Sequence, residues 1–369
     1  MNRNLLYGMV VLLLMTACRG EELLPPTETE SRGDKQTGSL RGFYLLNEGN
    51  MGQNKATLDY YDFEKALYTR NIYGAANPSM VQALGDVGND LKVYGDRLYA
   101  VINCSNLIEV MDKYSAEHIG TIEIPNCRYL TFDGGFGYVT SYAGPVQIGY
   151  KQIGYVAKFD TATLQIVDTC FVGYQPDEAE IVANKLYVAN SGGYLVPNYE
   201  TKLSVIDLTT FRVVDSIPVA INLHRVRKDR DNMLWVSSRG DYGANPARLY
   251  RIDPLSKQKT DSFEVVAGDL TIHGDSLYYC GMDYAAGGGM CGIINTRTRQ
   301  SVSTSIVTDN TLLDTPYGIA IHPDSGYIYL TDAGNYVNPG VLYCFSREGK
   351  QLWNVRTGDI PAHIAFIYK

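Results

Sequence analysis

Residues 186–219 read LYVANSGGYLVPNYETKLSVIDLTTFRVVDSIPV and carry the clearest structural pattern in the chain. They contain three short segments, LYVAN, KLSVID and FRVVDSIPV, that are rich in the β-branched and aromatic residues favoured in strands. Gly, Asn, Pro and Asp occupy the connections between them, as expected for turns. The stretch therefore predicts three strands joined in sequence by two loops.

The first of these strands opens with an apolar residue followed by an aromatic one, and this start recurs along the chain. The aromatic residue occupies seven positions: Tyr44, Tyr99, Tyr138, Tyr187, Trp235, Tyr278 and Tyr329. The intervals range from 39 residues, between Tyr99 and Tyr138, to 55 residues, between Tyr44 and Tyr99. The chain is therefore built from seven copies of one structural unit.

A further short strand is expected before each copy except the first. The missing strand appears at the C-terminus as HIAFIYK, residues 363–369. Four short strands per repeat at this interval are typical of a β-propeller, whose ring closes when the last strand completes the first repeat. We therefore predict an all-β fold, a seven-bladed β-propeller over residues 40–369.

The N-terminus predicts export and lipidation. Residues 1–17 combine an early charge at Arg3 with an apolar run that is too short to span a bilayer, which needs about 20 residues. The sequence MTAC, ending at Cys18, resembles a bacterial lipobox, so we expect a lipoprotein signal peptide over residues 1–17 and lipid on Cys18. An ordinary signal peptide followed by an incidental cysteine is the alternative.

Residues 18–39 are polar and charged, and this composition predicts a flexible tether. Glu21 and Glu22 follow Cys18 closely, which resembles the acidic signal that directs Bacteroidetes lipoproteins to the outer face of the outer membrane. We therefore expect a lipid anchor in the outer membrane with the propeller facing the cell exterior. A solvated linker with incidental acids is the alternative.

Composition limits the possible partners and covalent links. The net charge of -8 argues against nucleic acid, which requires a basic surface. Six cysteines follow Cys18, and export permits disulfides. Neighbouring strands or blades bring Cys104 near Cys127 and Cys280 near Cys291, so we expect these two pairs to form disulfides. Cys170 and Cys344 are expected to be buried thiols, and no CxxC motif indicates zinc.

The loops between the second and third strands predict a ligand-binding face. They place tyrosines on one face of the propeller: Tyr142, Tyr150, Tyr194, Tyr199, Tyr242, Tyr284 and Tyr336. Rigid amphipathic rings among Gly and Asn are typical of a binding surface, although Gly and Asn are also ordinary turn residues. We add four polar or aromatic neighbours to this predicted site: Asn50, Arg128, Tyr129 and Arg239.

A second ring of residues is expected at the channel mouth, where each innermost strand begins. It comprises Asp90, Tyr129, Glu178, His224, Asp269, Gly318 and His363. Acids and histidines at one place are able to hold a metal, but their spacing does not repeat. We therefore predict a solvated ring and no metal site.

The repeats resemble YVTN-type propellers, with LYVANSGG and KLSVIDLTTFRVVDSIPV as the closest match to that family's units. The whole architecture and the opening blade, with NEGN at 47–50 and LDYYDF at 58–63, resemble the vitamin B12-capture lipoproteins of Bacteroidetes (BtuG type). That resemblance implies binding of cobalamin or a related corrinoid and its transfer to a TonB-dependent outer-membrane transporter of the BtuB type. It implies neither catalysis nor a cofactor.

Three other functions are compatible with the sequence. Loop tyrosines also suit a glycan-binding propeller or a scaffold that contacts only other proteins. A metal-dependent, lactonase-like hydrolase would use carboxylates and an amide, for which the sequence offers Glu48, Glu178, Asn190 and Asp269. A quinoprotein dehydrogenase is disfavoured because the chain has only two tryptophans, and no GxSxG, HExxH or P-loop motif is present.

Overall fold

The computed structural model describes residues 25–80, 83–284 and 287–369. The expected signal peptide and the expected lipidation site Cys18 lie outside these ranges. The described residues form seven antiparallel sheets arranged as blades of a β-propeller, as predicted. None of the described helices is long and apolar enough to cross a membrane.

Each blade is a sheet whose innermost strand lies at the channel and whose later strands follow outwards. Blade 1 comprises β29 (Pro361–Tyr368), β2 (Leu40–Asn47), β3 (Thr57–Asp62), β4 (Leu67–Arg70) and β1 (Glu28–Ser31), and a short helix α1 (Ile72–Ala76) leads to blade 2. Blade 2 comprises β5 (Gly88–Tyr94), β6 (Arg97–Ile102), β7 (Leu107–Asp112) and β8 (His118–Glu123). Blade 3 comprises β9 (Cys127–Asp133), β10 (Phe136–Ser141), β11 (Ile153–Asp160) and β12 (Ile166–Tyr174).

The remaining four blades follow the same order. Blade 4 comprises β13 (Pro176–Val182), β14 (Lys185–Asn190), β15 (Lys202–Asp207) and β16 (Arg212–Pro218). Blade 5 comprises β17 (Leu223–Lys228), β18 (Leu234–Ser238), β19 (Arg248–Asp253) and β20 (Gln258–Phe263). Blade 6 comprises β21 (Asp269–His273), β22 (Ser276–Asp283), β23 (Gly288–Asn295) and β24 (Gln300–Ser303), and blade 7 comprises β25 (Pro316–Ile321), β26 (Ile328–Asp332), β27 (Pro339–Phe345) and β28 (Gln351–Asp359).

The predicted ring closure is confirmed. The C-terminal strand β29 pairs antiparallel with β2, with Phe366 opposite Phe43 and Ala365 opposite Tyr44. A Cβ added at Gly318 of blade 7 would lie 1.9 Å from the carbonyl oxygen of Ala362, so only glycine allows this approach to β29. The first blade is thus completed from the far end of the chain.

Seven buried apolar clusters hold neighbouring blades together, one at each interface. At the closing interface, Phe43 has no exposed surface. Its ring lies 4.9 Å from that of Tyr329 in blade 7 and 5.9 Å from that of Phe366 in β29. This aromatic cluster joins both ends of the chain to the last blade.

The N-terminal segment departs from the prediction. Residues 18–39 were expected to be a tether, but β1 (Glu28–Ser31) pairs with β4 as a fifth, outermost strand of blade 1. The Tyr61 hydroxyl donates a hydrogen bond of 2.7 Å to the Arg32 carbonyl, and the Thr27 hydroxyl donates one of 2.8 Å to the Asn71 carbonyl. Backbone pairing at an open sheet edge orders a polar segment that has no apolar core of its own.

The cysteine predictions are only partly confirmed. Cys170 and Cys344 are buried thiols as expected. The expected disulfides are not formed: Cys104, Cys127, Cys280 and Cys291 are all free thiols. Cys280 and Cys291 do lie directly opposite each other on β22 and β23. The Cys127 thiol instead donates to the Leu107 carbonyl at 3.3 Å.

We predict that Phe43→Ala lowers the free energy of unfolding by about 3–5 kcal/mol, because it empties a fully buried aromatic site at the ring closure. The measurement is equilibrium unfolding in urea. The control is Phe171→Ala, which removes a ring that is 66% exposed and should change stability by about 0.5 kcal/mol or less. Equal effects of the two substitutions would contradict a closure stabilised by this cluster.

Candidate functional site

A β-bulge near the start of the innermost strand positions the site. In β17, Leu223 pairs with Ser238 and Val226 pairs with Val236, so one extra residue is inserted on the inner strand. Equivalent register shifts occur in the innermost pairs of blades 1, 2, 3, 4 and 7. A bulge interrupts the alternation of side chains, so two consecutive residues can point toward the channel mouth.

At the bulges, two successive backbone N–H groups have no partner on the neighbouring strand and donate hydrogen bonds to side chains instead. The second bulge residue donates to a hydroxyl of the same blade: Tyr129 to Thr140 at 3.1 Å, Arg225 to Ser237 at 3.0 Å and Gly318 to Thr331 at 2.7 Å. The next residue donates to a carboxylate of the preceding blade: Leu130 to Asp90 at 2.9 Å, Val226 to Glu178 at 2.9 Å and Ile319 to Asp269 at 3.0 Å. Three acids therefore join blades 2, 4 and 6 to their neighbours.

Above these strands lies a cavity of about 730 Å³, a volume typical of sites for small organic ligands. All seven blades contribute to its wall. The predicted site residues that line it are Asn50, Arg128, Tyr129, Tyr194, Arg239, Tyr242, Tyr284 and Tyr336. It lies on the face formed by the loops between second and third strands, the face on which a ligand site was predicted.

The wall formed by blades 3 to 5 carries positive charge. Arg128, Arg225 and Arg239, which we call the arginine cluster, all line the cavity. Arg239 Nη1 donates to Asp177 Oδ2 at 2.8 Å, and Arg128 Nε lies 3.7 Å from the other oxygen of this carboxylate. Asp177 is fully buried, and its position between two guanidinium groups holds both of them at the cavity wall.

Arg225 is held from three directions. Its Nε donates to the Gly268 carbonyl at 3.1 Å and lies 3.3 Å from Asp269 Oδ1, while its Nη1 lies 3.6 Å from Glu178 Oε1. Burial acts to raise the pKa of Glu178, but the charges of Arg227 and Arg225 outweigh it, so that pKa is lowered. The carboxylate therefore stays ionised and keeps its interactions at neutral pH.

Tyr129 and His224 form a neutral pair within this charged wall. The Tyr129 hydroxyl lies 3.0 Å from His224 Nε2, and the Arg225 guanidinium lies 4.8 Å from the centre of the Tyr129 ring. Burial raises the pKa of Tyr129 to about 12. Burial, followed by the positive charges of Arg239 and Arg225, holds the pKa of His224 well below its usual value of 6.5.

The opposite wall, from blades 1, 6 and 7, carries a carboxylate and tyrosines. Glu48 accepts a hydrogen bond of 2.9 Å from the Tyr317 hydroxyl and lies 3.2 Å from His363 Nε2. The hydroxyls of Tyr284 and Tyr336 lie 2.6 Å apart across two neighbouring loops. The cavity is therefore polarised, with cations on one side and acceptor groups on the other.

The predicted loop tyrosines divide into two groups. Tyr194, Tyr242, Tyr284 and Tyr336, which we call the tyrosine rim, line the cavity. Tyr150 and Tyr199 do not line it. Tyr142 was expected to be at a loop tip, but it is 4% exposed and donates to Asp177 at 2.6 Å, with the Arg128 guanidinium 4.6 Å above its ring. Tyr142 therefore holds Asp177 and Arg128 in place and does not face the cavity.

Two members of the tyrosine rim have an unfavourable backbone conformation. Tyr242 has φ of 59° and Tyr336 has φ of 63°, in the left-handed region where a side chain is strained. Tyr242 is also 59% exposed, and Tyr284 is 63% exposed. Large rings kept at strained or exposed positions are typical of a surface selected for contact rather than for folding.

The sequence did not identify Arg225 and Tyr317 as site residues. Strict alternation along HRVRKDR places His224 and Arg225 on opposite sides of the strand, but the bulge directs both toward the cavity. The bulge in blade 7 likewise directs Tyr317, the residue before Gly318, toward the cavity. Ser237 and Thr331, the hydroxyl residues opposite the bulges, are the sequence signal that would have indicated them.

The prediction of a solvated ring at the channel mouth is wrong. Six of its side chains are buried: Asp90, Tyr129, Glu178, His224, Asp269 and His363. The three acids accept backbone N–H groups of the next blade and pair with Lys92 or arginines. His363 pairs with Glu48, and Tyr129 and His224 contact each other. Within residues 25–80, 83–284 and 287–369, no three His, Cys, Asp or Glu side chains are grouped so as to bind a metal ion.

Three of the four residues considered for a lactonase-like hydrolase have structural partners, whereas the fourth, Glu48, lines the cavity. Glu178 and Asp269 accept backbone N–H groups of the next blade. Asn190 donates to the Lys202 carbonyl at 3.0 Å and to the Ser204 hydroxyl at 2.9 Å. Since these groups stabilise the blades, the geometry does not favour the hydrolase interpretation.

We predict that stability falls as the pH is lowered from 6 to 5 and that His224→Gln reduces this fall. The folded protein keeps His224 neutral while the unfolded chain binds a proton, which costs about 1.4 kcal/mol of unfolding free energy per pH unit below the unfolded pKa. Urea unfolding at several pH values measures how the free energy of unfolding depends on pH in the unmodified protein and in His224→Gln. Between pH 8 and 9 this histidine is neutral in both states, so the two slopes should agree there; parallel curves from pH 6 to 5 would contradict the prediction.

Solved structures with a similar fold include a hydrazine synthase from Kuenenia stuttgartiensis, with a TM-score of 0.58 and 17% identity over 71% of this chain and 77% of the other. A quinoprotein alcohol dehydrogenase-like protein from Bacteroides thetaiotaomicron has a TM-score of 0.59 and 14% identity over 90% of this chain and 79% of the other. At these identities the likeness concerns the fold alone. No curated protein sequence matches significantly. The profile of a domain of unknown function, DUF5074, matches residues 41–333, and the chain therefore belongs to the DUF5074 family.

Proposed function

We propose that this protein is an outer-membrane surface lipoprotein that captures cobalamin, or a related corrinoid, and passes it to a TonB-dependent transporter of the BtuB type. The observation that carries the proposal is the cavity of about 730 Å³ with its tyrosine rim and its arginine cluster on a rigid propeller. Capture requires no covalent chemistry, so the proposed activity is binding and not catalysis, and no cofactor is needed.

The shape and chemistry of the cavity support a wide ligand with many polar groups. A corrinoid is a broad disc whose edge carries amides, so it offers both a flat apolar surface and numerous hydrogen-bond partners. The exposed rings of Tyr242 and Tyr284 supply flat contact area, and the side-chain amide of the lining residue Asn50 supplies a donor and an acceptor. Rigid rings with adaptable polar neighbours are typical of surfaces that bind such ligands.

The N-terminal sequence supports the proposed location. Lipid on Cys18 would leave a short polar connection of residues 19–27 before β1 joins blade 1. The proposed anchor would therefore hold the propeller close to the membrane and raise its local concentration at the transporter.

We predict that the protein lacking residues 1–18 binds cyanocobalamin one to one in calorimetric titration. Tyr242→Ala and Tyr284→Ala should each weaken binding roughly 30-fold, because truncating a central aromatic contact typically costs about 2 kcal/mol. Tyr114→Ala is the matched control, since that half-exposed tyrosine lies in the loop between β7 and β8 on the opposite face. Absence of binding at several hundred micromolar cyanocobalamin would overturn the proposed ligand.

Glycan binding is the second candidate because exposed tyrosine rings also stack on sugars. The two functions differ in the use of the arginine cluster, which a neutral polysaccharide does not require. Binding of a neutral polysaccharide that is lost in Tyr242→Ala and retained in Arg128→Gln, together with no binding of cyanocobalamin, would establish the glycan function instead.

A further inference from the structure

The cavity wall at blades 3 to 5 holds more positive than negative charge. The ion-pair network of this wall contains four guanidinium groups, those of Arg128, Arg225 and Arg239, which line the cavity, and that of Arg227, which does not line it. The carboxylates paired with them within 4.0 Å belong to Asp177, Glu178 and Asp269. The neighbouring Asp90 is matched by Lys92, whose ammonium lies 3.1 Å away. Four cations against three anions leave one uncompensated positive charge in the ion-pair network that includes the arginine cluster.

His224 is consistent with a positive potential at this wall. Its side chain is buried beside the cavity, and its Nδ1 has no hydrogen-bond partner among the described residues. After burial itself, the charges of Arg239, Arg225 and Arg128 lower its pKa most strongly. Because His224 is neutral, it adds no charge to the wall, and the excess positive charge belongs to the arginines alone.

The arginine cluster also has many unused donors. Each guanidinium carries five N–H donors, and the three guanidinium groups of the cluster donate only two hydrogen bonds to described residues, one from Arg225 to Gly268 and one from Arg239 to Asp177. The Arg128 guanidinium donates none within the described part of the chain, although only 13% of its side chain is exposed. Its nearest carboxylate oxygen, on Asp177, lies 3.7 Å from Nε. A buried guanidinium without an acceptor is costly unless a ligand or water supplies one.

The members of the cluster lie close to two shared neighbours, Tyr129 and Asp177. The guanidinium carbons of Arg128 and Arg225 lie 6.0 and 4.8 Å from the centre of the Tyr129 ring. Arg128 and Arg239 share the Asp177 carboxylate. A group bound above Tyr129 would therefore be reached by donors from blades 3 and 5.

We propose that the arginine cluster binds one singly charged oxyanion of the ligand, of the phosphodiester class. Its charge of −1 balances the excess charge of the wall, and guanidinium groups match phosphate oxygens through paired N–H donors. A tetrahedral phosphate offers oxygens in several directions, which suits donors that arrive from two blades better than a planar carboxylate does. The inference rests on the proposed function, because it assigns the charged part of the ligand to one wall of the same cavity.

The test compares two corrinoids that differ in this group. Cyanocobalamin carries a phosphodiester, whereas dicyanocobinamide lacks the phosphodiester and the nucleotide base. By calorimetry we expect Arg128→Gln to weaken binding of cyanocobalamin at least 10-fold and to change binding of dicyanocobinamide less than twofold. Arg97→Gln is the matched control, because that arginine bonds to the Thr161 and Ala162 carbonyls away from the cavity.

Equal losses for both corrinoids, or no loss for either, would overturn the oxyanion site while leaving the proposed function intact. Circular dichroism and urea unfolding check that each variant folds, and Arg239→Gln, with a side chain that is 30% exposed, replaces Arg128→Gln if the latter does not fold.

If neither corrinoid binds the unmodified protein, the proposed ligand fails and a second measurement decides the oxyanion site. Dimethyl phosphate, a simple phosphodiester, should then raise the melting temperature of the unmodified protein and of Arg97→Gln but not of Arg128→Gln. No shift at 50 mM dimethyl phosphate, or the same shift in all three proteins, would overturn the site.

Discussion

The β-bulge in the innermost strand shapes both the core and the cavity of this propeller. It breaks the alternation of side chains at the channel mouth and frees two successive N–H groups, which the structure satisfies in different ways. In blades 3, 5 and 7 the first N–H bonds to a hydroxyl of its own blade, as from Arg225 to Ser237. The second bonds to a carboxylate of the preceding blade, as from Val226 to Glu178. The same few residues therefore stabilise each blade and connect it to the preceding one.

Burying carboxylates in this way has an electrostatic consequence. An ionised acid inside a protein requires a positive partner, and Glu178 and Asp269 have Arg225 between them. Asp177 similarly lies among Arg239, Arg128 and Tyr142. The arginines that stabilise these acids are also the ones that line the cavity. The same arginines therefore form the structural ion pairs and give the cavity wall its positive charge.

The fold leaves the function open, because propellers host unrelated activities on the same frame. Two similar solved structures, a hydrazine synthase and an alcohol dehydrogenase-like protein, share the architecture at 17% and 14% identity. What distinguishes this chain is the face that carries the cavity, where Tyr242 and Tyr336 are kept at positive φ and Tyr284 is largely exposed. These features are the structural basis of the proposal that the protein binds a ligand.

Local sequence patterns were enough to predict the seven blades, the closure by the C-terminal strand and the face that carries the cavity, because strand periodicity and repeat spacing are local properties. They also indicated Tyr242, Tyr284 and Arg239, since loop position alone places them, and Arg128 at the start of an innermost strand. Three-dimensional packing was needed to show that Tyr142 is buried under Arg128, that the channel-mouth acids are paired and not solvated, and that Arg225 faces the cavity. These outcomes depend on bulges and on contacts between blades distant in sequence, and no local pattern contains that information. The pairing of β1 with β4 has the same origin, because an open sheet edge orders a segment whose own composition predicts disorder.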